Sequence, residues 1–196
     1  MATFDEVVTA LVAGEAVVIP TDTVYGIAVD PSRPGATSRL FTLKERPAEV
    51  ALPVLAGSAE DAFALAADVP GTAVRLAARF WPGALTLVLA RRSGLGFDLG
   101  GVDDRTIGLR VPDHDLVRRL ATAVGPLATT SANRHGRPTP ETAEAVAAEL
   151  GGDVGVIFDG GRCAGAPSTV VECAADGITI LREGRVPEAA IRAALS

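Results

Sequence analysis

Lysine is nearly absent from this chain: of 18 basic residues, Lys44 is the single lysine. Genome composition accounts for such a bias, and so does a site that needs a compact ammonium where a planar guanidinium will not serve. Aromatic residues are also scarce, at 4%. Alanine, valine and leucine must therefore fill the core, and its packing rests on many small contacts. The two cysteines, Cys163 and Cys173, are too few for a disulfide framework and lack metal-ligand spacing, so they read as free structural thiols. Neither histidine, His114 nor His135, has an i+4 partner or a carboxylate cluster, which argues against a catalytic zinc; no metal-ligating residue is assigned.

Further absences narrow the chemistry. No apolar run approaches the ~20 residues that span a bilayer. The opening Met1-Ala-Thr-Phe-Asp-Glu6 is not a basic start followed by an apolar stretch, so no signal peptide, a cytoplasmic location and no membrane partner are expected. The only lysine follows Leu43, which rules out a Walker A loop. Gly94-Leu-Gly96-Phe-Asp-Leu-Gly100 puts its third glycine one position late for a dinucleotide fingerprint, and a strand follows where a helix is required. There is no G-x-S-x-G elbow. An enzyme built on this chain works by positioning and electrostatics, without a covalent nucleophile.

What is present suits one α/β domain. The 196 residues, 48% of them hydrophobic, are enough for a single sizeable core spanning 1–196. The net charge of −6 speaks against a surface coated for nucleic acid and leaves a local basic cavity open. Apolar periodicity predicts helices over 4–12, 35–44, 58–67, 71–80, 113–124 and 140–150, with a short one from Pro187. Strands are expected at 16–19, 27–29, 52–55, 85–89, 106–111, 126–130, 154–158, 169–171 and 178–181. Three strands crowd the C-terminus with no room for intervening helices, so the fold class is α/β with a twisted mixed sheet flanked by helices. Arg91 to Asp104, rich in Gly, Arg and Asp, reads as the most flexible connector.

Polar clusters interrupt the apolar pattern where strands end. Pro20-Thr-Asp-Thr-Val-Tyr-Gly26 follows a buried strand and offers hydroxyls to a pocket, or is an ordinary turn. Leu43-Lys-Glu-Arg-Pro47 ends a helix, where Lys44 and Arg46 suit phosphate, or simply the helix dipole. Pro126-Leu-Ala-Thr-Thr-Ser-Ala-Asn133 runs a strand into small hydroxyl and amide groups that let a ligand approach closely. Gly165-Ala-Pro-Ser-Thr-Val-Val171 and Ile180-Leu-Arg-Glu-Gly184 bring Ser168, Thr169 and Arg182 onto adjacent strands. Arg110, five residues into an apolar strand, calls for an anionic partner such as a carboxylate held by two parallel hydrogen bonds.

In order and spacing these clusters, with Trp81-Pro-Gly-x-Leu-Thr-x-Val-Leu89 and Thr106-x-x-x-Arg-x-Pro112, resemble the YrdC/TsaC family of L-threonylcarbamoyladenylate synthases, from about Gly14 to Val186. The resemblance implies a twisted sheet around a positively charged concave cavity for ATP and L-threonine. It implies that threonine, bicarbonate and ATP become threonylcarbamoyl-AMP and pyrophosphate, for N6-threonylcarbamoyladenosine modification of tRNA. By motif position Thr23, Arg110 and Ser168 would hold threonine, with Arg110 on its carboxylate. Lys44, Arg46, Thr106, Ser131, Asn133, Thr139 and Arg182 would surround ATP, with Lys44 and Arg46 catalytic, offsetting the charge that crowds the α-phosphorus. Mg2+ would ride on the ATP phosphates. Downstream threonylcarbamoyl-transfer proteins are the implied partners, with tRNA or double-stranded RNA contact a further one.

Two positions depart from the family pattern. Val50 stands where relatives carry Lys or Asn, and Leu55 where some carry His. The chain ends soon after the family-like region, so no additional C-terminal domain is expected. Two other readings remain: a paralogue of the same fold with other carbamoyl chemistry, which Val50 and Leu55 favour, and a non-catalytic double-stranded-RNA or tRNA module, which Arg134-His-Gly-Arg137 favours and the acidic total opposes.

Overall fold

The computed structural model describes residues 1–44, 50–134 and 136–196. Its helices are α1 (Phe4–Val12), α2 (Ala36–Lys44), α3 (Ala59–Phe63), α4 (Gly71–Phe80), α5 (Asp115–Val124), α6 (Ala143–Leu150) and α7 (Glu188–Ala193). Its strands are β1 (Val17–Ile19), β2 (Gly26–Val29), β3 (Val54–Leu55), β4 (Leu85–Ala90), β5 (Thr106–Arg110), β6 (Leu127–Ser131), β7 (Val156–Ile157), β8 (Thr169–Ala174) and β9 (Gly177–Arg182). The strands form one sheet in the order β7-β1-β2-β6-β3-β5-β4-β8-β9. Pairs β1/β7, β3/β5 and β4/β8 are parallel, and the rest antiparallel. The sheet is therefore mixed, as the crowded C-terminal strands indicated.

Why these residues form these elements is clearest where strands are buried on both faces. In β1, Val17 and Ile19 pack with α1 and α5 through Val7, Leu11, Val117 and Leu120. Val18 turns to the opposite core, which it shares with Leu40 of α2 and Val146 and Leu150 of α6. Such double burial is what makes the strand read as an unbroken apolar run. Thr3 caps α1 with a complete capping box: Glu6 N donates to Thr3 Oγ1 at 3.3 Å and Thr3 N to Glu6 Oε2 at 2.7 Å.

Several boundaries differ from the sequence pattern. Helix α3 stops at Phe63 instead of running to 67, because Ala67 N and Arg92 N bond across the segment to Ala90 O and Leu65 O, while Ala66 bridges Arg91. Helix α6 begins at Ala143, and β8 extends to Ala174, where a turn joins it to β9. The segment 91–104 is tied down rather than free. Leu52 N donates to Leu99 O at 2.8 Å, Thr37 Oγ1 to Asp98 O at 2.5 Å, and Leu99 is buried.

Candidate active site

Alternate residues of neighbouring strands face one concave surface. Thr106, Gly108 and Arg110 of β5, Thr86 and Val88 of β4, and Val170 of β8 share a face, with Val88 opposite Gly108 and Thr86 opposite Val170. The intervening Leu85, Leu87, Ile107, Leu109 and Val171 point into the core. The concavity has a volume of about 610 Å3, within the ~300–1,000 Å3 usual for small-molecule sites. Thr23, Thr106, Arg110, Ser131, Thr139, Ser168 and Arg182, all expected site residues, line it.

Lys44 and Asn133 stand behind this wall. Lys44 ends α2 and is buried, its Nζ donating to Ser131 O and lying 3.4 Å from both Ser131 Oγ and Asn133 Oδ1. Asn133 Oδ1 also accepts from Thr139 Oγ1 at 3.2 Å, and its Nδ2 holds Arg134 O and Arg137 O at 2.8 and 2.7 Å. The amide orientation is thereby fixed from both ends. The structure thus gathers Lys44, Ser131, Asn133 and Thr139 into one network. Arg46 lies outside the described residues.

Arg110 forms a second corner, and its anionic partner is within the protein. Its Nη2 donates to Asp22 Oδ1 at 2.5 Å, Nη1 to Thr23 Oγ1 at 3.1 Å and Nε to Gly83 O at 2.9 Å. Both side chains of the ion pair are close to nine-tenths buried. Burial pulls the Arg110 pKa down, and Asp22 opposes that pull. Thr21 Oγ1 donates to Val24 O, so the 3.0 Å contact between Thr21 and Thr23 hydroxyls has Thr23 as donor, leaving its lone pairs to Arg110. The Trp81-Pro-Gly83 motif has its physical reason here: Gly83 N binds Val111 O at 2.8 Å, and Gly83 O clamps Arg110.

Ser168 centres a third group. Its hydroxyl is 2.8 Å from Thr86 Oγ1 and 3.3 Å from Arg182 Nη2, and its carbonyl accepts from Arg182 Nη2 at 2.8 Å. Two motif glycines are explained by close backbone approach. A Cβ on Gly165 would lie 3.0 Å from Thr23 Cα, and one on Gly184 only 2.6 Å from the Ser168 carbonyl carbon. The glycines of Gly165-Ala-Pro-Ser-Thr and Leu-Arg-Glu-Gly184 therefore let these loops settle onto the residues expected to touch threonine.

The described lining does not by itself make the concavity positive. Arg110 and Arg182 stand with Asp103, and Asp22 neutralises Arg110 from behind. Asp103 is held at a pKa of about 2 by its two-point contact with Arg105. Most other lining groups are hydroxyls and apolar side chains, including both departures from the family pattern: exposed Val50 and buried Leu55. Sequence reasoning did not single out Asp22 or Thr86. Asp22 lay inside a quoted motif, but its partner is 88 residues away in the chain.

Residues 9–184 match the model of the Sua5/YciO/YrdC domain, described as "Telomere recombination". A putative threonylcarbamoyl-AMP synthase of Mycobacterium tuberculosis is 39% identical over 90% of this chain and 82% of its own length. The threonylcarbamoyl-AMP synthase of Bacillus subtilis is 36% identical over 92% of this chain, which spans 53% of that protein. The structure of Pyrococcus abyssi Sua5 complexed with L-threonine superposes with a TM-score of 0.91 at 33% identity, covering 98% of this chain and 57% of that one. With the motif residues assembled around one cavity and the match extending over most of its length, the chain belongs to the Sua5/YciO/YrdC family.

Proposed function

We propose that this protein is a threonylcarbamoyl-AMP synthase. The observation that carries the reading is the buried Arg110–Thr23 corner, in a chain whose fold matches a relative complexed with L-threonine. Threonine loses a proton from its ammonium, and the free amine condenses with bicarbonate. A C–N bond forms, hydroxide leaves the carbonate carbon and takes an amine proton, and water departs. A carbamate oxygen then attacks the α-phosphorus of ATP while the bond to the β-phosphate breaks, giving threonylcarbamoyl-AMP and pyrophosphate.

The chain's own groups divide this work. Arg110 holds threonine by its carboxylate, with Thr23 and Ser168 beside it. Three of the five Arg110 N–H groups are used internally, which leaves donors for a carboxylate. Lys44, Ser131, Asn133, Thr139, Thr106 and Arg182 receive the nucleotide together with Arg46. The Lys44 ammonium, in a partly closed site, offsets the charge that crowds the α-phosphate. ATP enters as its Mg2+ complex, the ion carried by the phosphates as part of the substrate. The product is a reactive mixed anhydride, which calls for a downstream protein that transfers threonylcarbamoyl to adenosine of tRNA.

The test is pyrophosphate release on mixing the protein with MgATP, threonine and bicarbonate, with threonylcarbamoyl-AMP identified by mass. Release that needs all three supports the reading. Release with another amino acid and not with threonine would move the protein to a paralogous carbamoyl chemistry, and none under any combination would overturn the proposal.

A further inference from the structure

The eleven residues 158–168 join β7 to β8. Those strands stand first and eighth in the sheet, which at ~4.8 Å per strand would put them about 34 Å apart on a flat sheet. Fully extended, the connection reaches at most about 40 Å. It is not extended: the backbone turns at Gly161, where φ is 81°, and it docks on other elements along the way. Such a strap reaches β8 because the sheet curls, and it holds the curl in place.

Its path runs along the loop that follows β1. Phe158 N donates to Val18 O at 2.9 Å, Cys163 N to Glu141 O at 2.8 Å and Gly165 N to Thr23 O at 2.8 Å. Gly160 lies so close to Pro20 that a Cβ there would come within 2.4 Å of its Cγ, and a Cβ on Gly165 would come as close to Thr23 O. Among these backbone contacts sits one fully buried side chain, Tyr25, the chain's single tyrosine. Its hydroxyl accepts from Gly160 N at 3.1 Å and donates to Gly161 O at 2.7 Å. Burial raises its pKa, so the proton it donates stays in place. A second side-chain anchor, the Arg162–Glu141 ion pair, is exposed and contributes little. Tyr25 does not line the cavity, so substrate contact does not account for its hydroxyl.

We propose that Tyr25 is a positioning residue: its hydroxyl latches the strap, and the latched strap holds the backbone of Thr23 against the Pro167–Ser168 segment, fixing the spacing of the cavity walls. This rests on the synthase reading and adds to it a residue that acts without touching substrate. A hydroxyl serves here because it is donor and acceptor at once, whereas phenylalanine fills the same space and supplies neither. Without the hydroxyl, Gly160 N–H and Gly161 C=O are left unpaired, and the strap opens locally while the core beneath α1 stays shut.

The experiment compares wild type, Tyr25→Phe, Gly160→Ala and Val7→Ala by hydrogen exchange, read by mass spectrometry, and by pyrophosphate release. Val7→Ala truncates the core under α1, away from the strap, and controls for general destabilisation. Gly160→Ala pushes the strap off Pro20 without altering the tyrosine, and carries the test should Tyr25→Phe fail to fold. Both strap variants should exchange the amides of Gly160, Cys163 and Gly165 about tenfold faster or more, the scale of one lost buried hydrogen bond, with peptides from α1 and α5 as in wild type. They should raise the threonine KM about tenfold, as misplaced binding groups do, and leave the ATP KM within about twofold. Val7→Ala should lower Tm and leave both KM values unchanged. Faster exchange spread evenly over the chain, with unchanged KM values, would make Tyr25 an ordinary core residue and overturn the inference. So would a loosened strap with unchanged KM values, or a strap that exchanges as slowly as in wild type. Absence of threonine-dependent pyrophosphate release from the wild type would strike the synthase reading itself, while the exchange data would still decide whether Tyr25 latches the strap.

Discussion

Lys44 reaches the site from the last turn of α2, its ammonium against the Ser131 carbonyl and the Asn133 amide oxygen. A guanidinium is too broad for that position and cannot be turned to serve phosphate and carbonyl alike. Lys44→Ala should lower pyrophosphate release about a hundredfold or more, the scale for removing one preorganised electrostatic contact, with the far-UV spectrum unchanged. Lys44→Arg should also be impaired; full activity in either folded variant would refute the assignment. Val50 lies on the cavity rim and is 64% exposed, so a polar side chain there works in water-like surroundings. Val50→Asn should tighten ATP binding only a few-fold, below the full worth of a buried charged hydrogen bond, with the preference for threonine unaltered. Calorimetric titration with ATP reads this directly, and unchanged or weaker binding would show that Val50 is not where the contact was lost. His114 carries a buried Nδ1 without a hydrogen-bond partner, and burial lowers its pKa, against the pull of Asp22. Below the ordinary histidine value of about 6.5 the unfolded chain takes up a proton that the folded chain resists. Stability should therefore fall as pH drops from about 6.5 toward the lowered folded value, and His114→Gln should flatten that limb of the urea-denaturation profile.

At the scale of elements, the sequence was most legible where one segment carries its own signal. The double-faced apolar run of β1, the strand β6 and the amphipathic α5 sit where the sequence pattern put them. Boundaries set by distant partners were not legible. Helix α3 is cut short by hydrogen bonds to the end of β4, and segment 91–104 is held by Pro31, Thr37 and Leu52. The candidate site shows the same division. Motif order named the residues that line the cavity, while Asp22, which sets the charge on Arg110, becomes visible only when β5 meets the loop after β1. Loop packing yields its own test. Gly165 N donates to Thr23 O at 2.8 Å, and a methyl group there would press on the Thr23 backbone. Gly165→Ala should cost about 1–3 kcal/mol of stability, as overpacking does, and raise the threonine KM more than the ATP KM. Equal effects on both substrates would argue that the loop does not position Thr23.

For the molecule as a whole, the strands of the described residues all join one sheet. Unfolding should therefore be a single transition. The fluorescence of Trp81, whose indole bonds Leu85 O at 2.7 Å beside the site, should follow the same denaturant curve as far-UV circular dichroism. Two separated midpoints would mean that the site end melts by itself. Arg134 and Arg137, the cluster that favoured an RNA-binding reading, are paired with Asp153 and Glu149. The cavity itself is walled at one side by β2 and β6 and at the other by β8 and β9, strands that are not neighbours in the sheet. Whatever fills it is in effect a brace between the two ends of a bent plate. Occupancy at a hundred times Kd contributes about 2.7 kcal/mol to the folded state. For a domain of this length that is a rise in Tm of roughly 5–10 °C. Because the brace works only when it touches both sides, threonine alone, held at one corner, should deliver less of that rise than threonine, bicarbonate and a non-hydrolysable ATP analogue together.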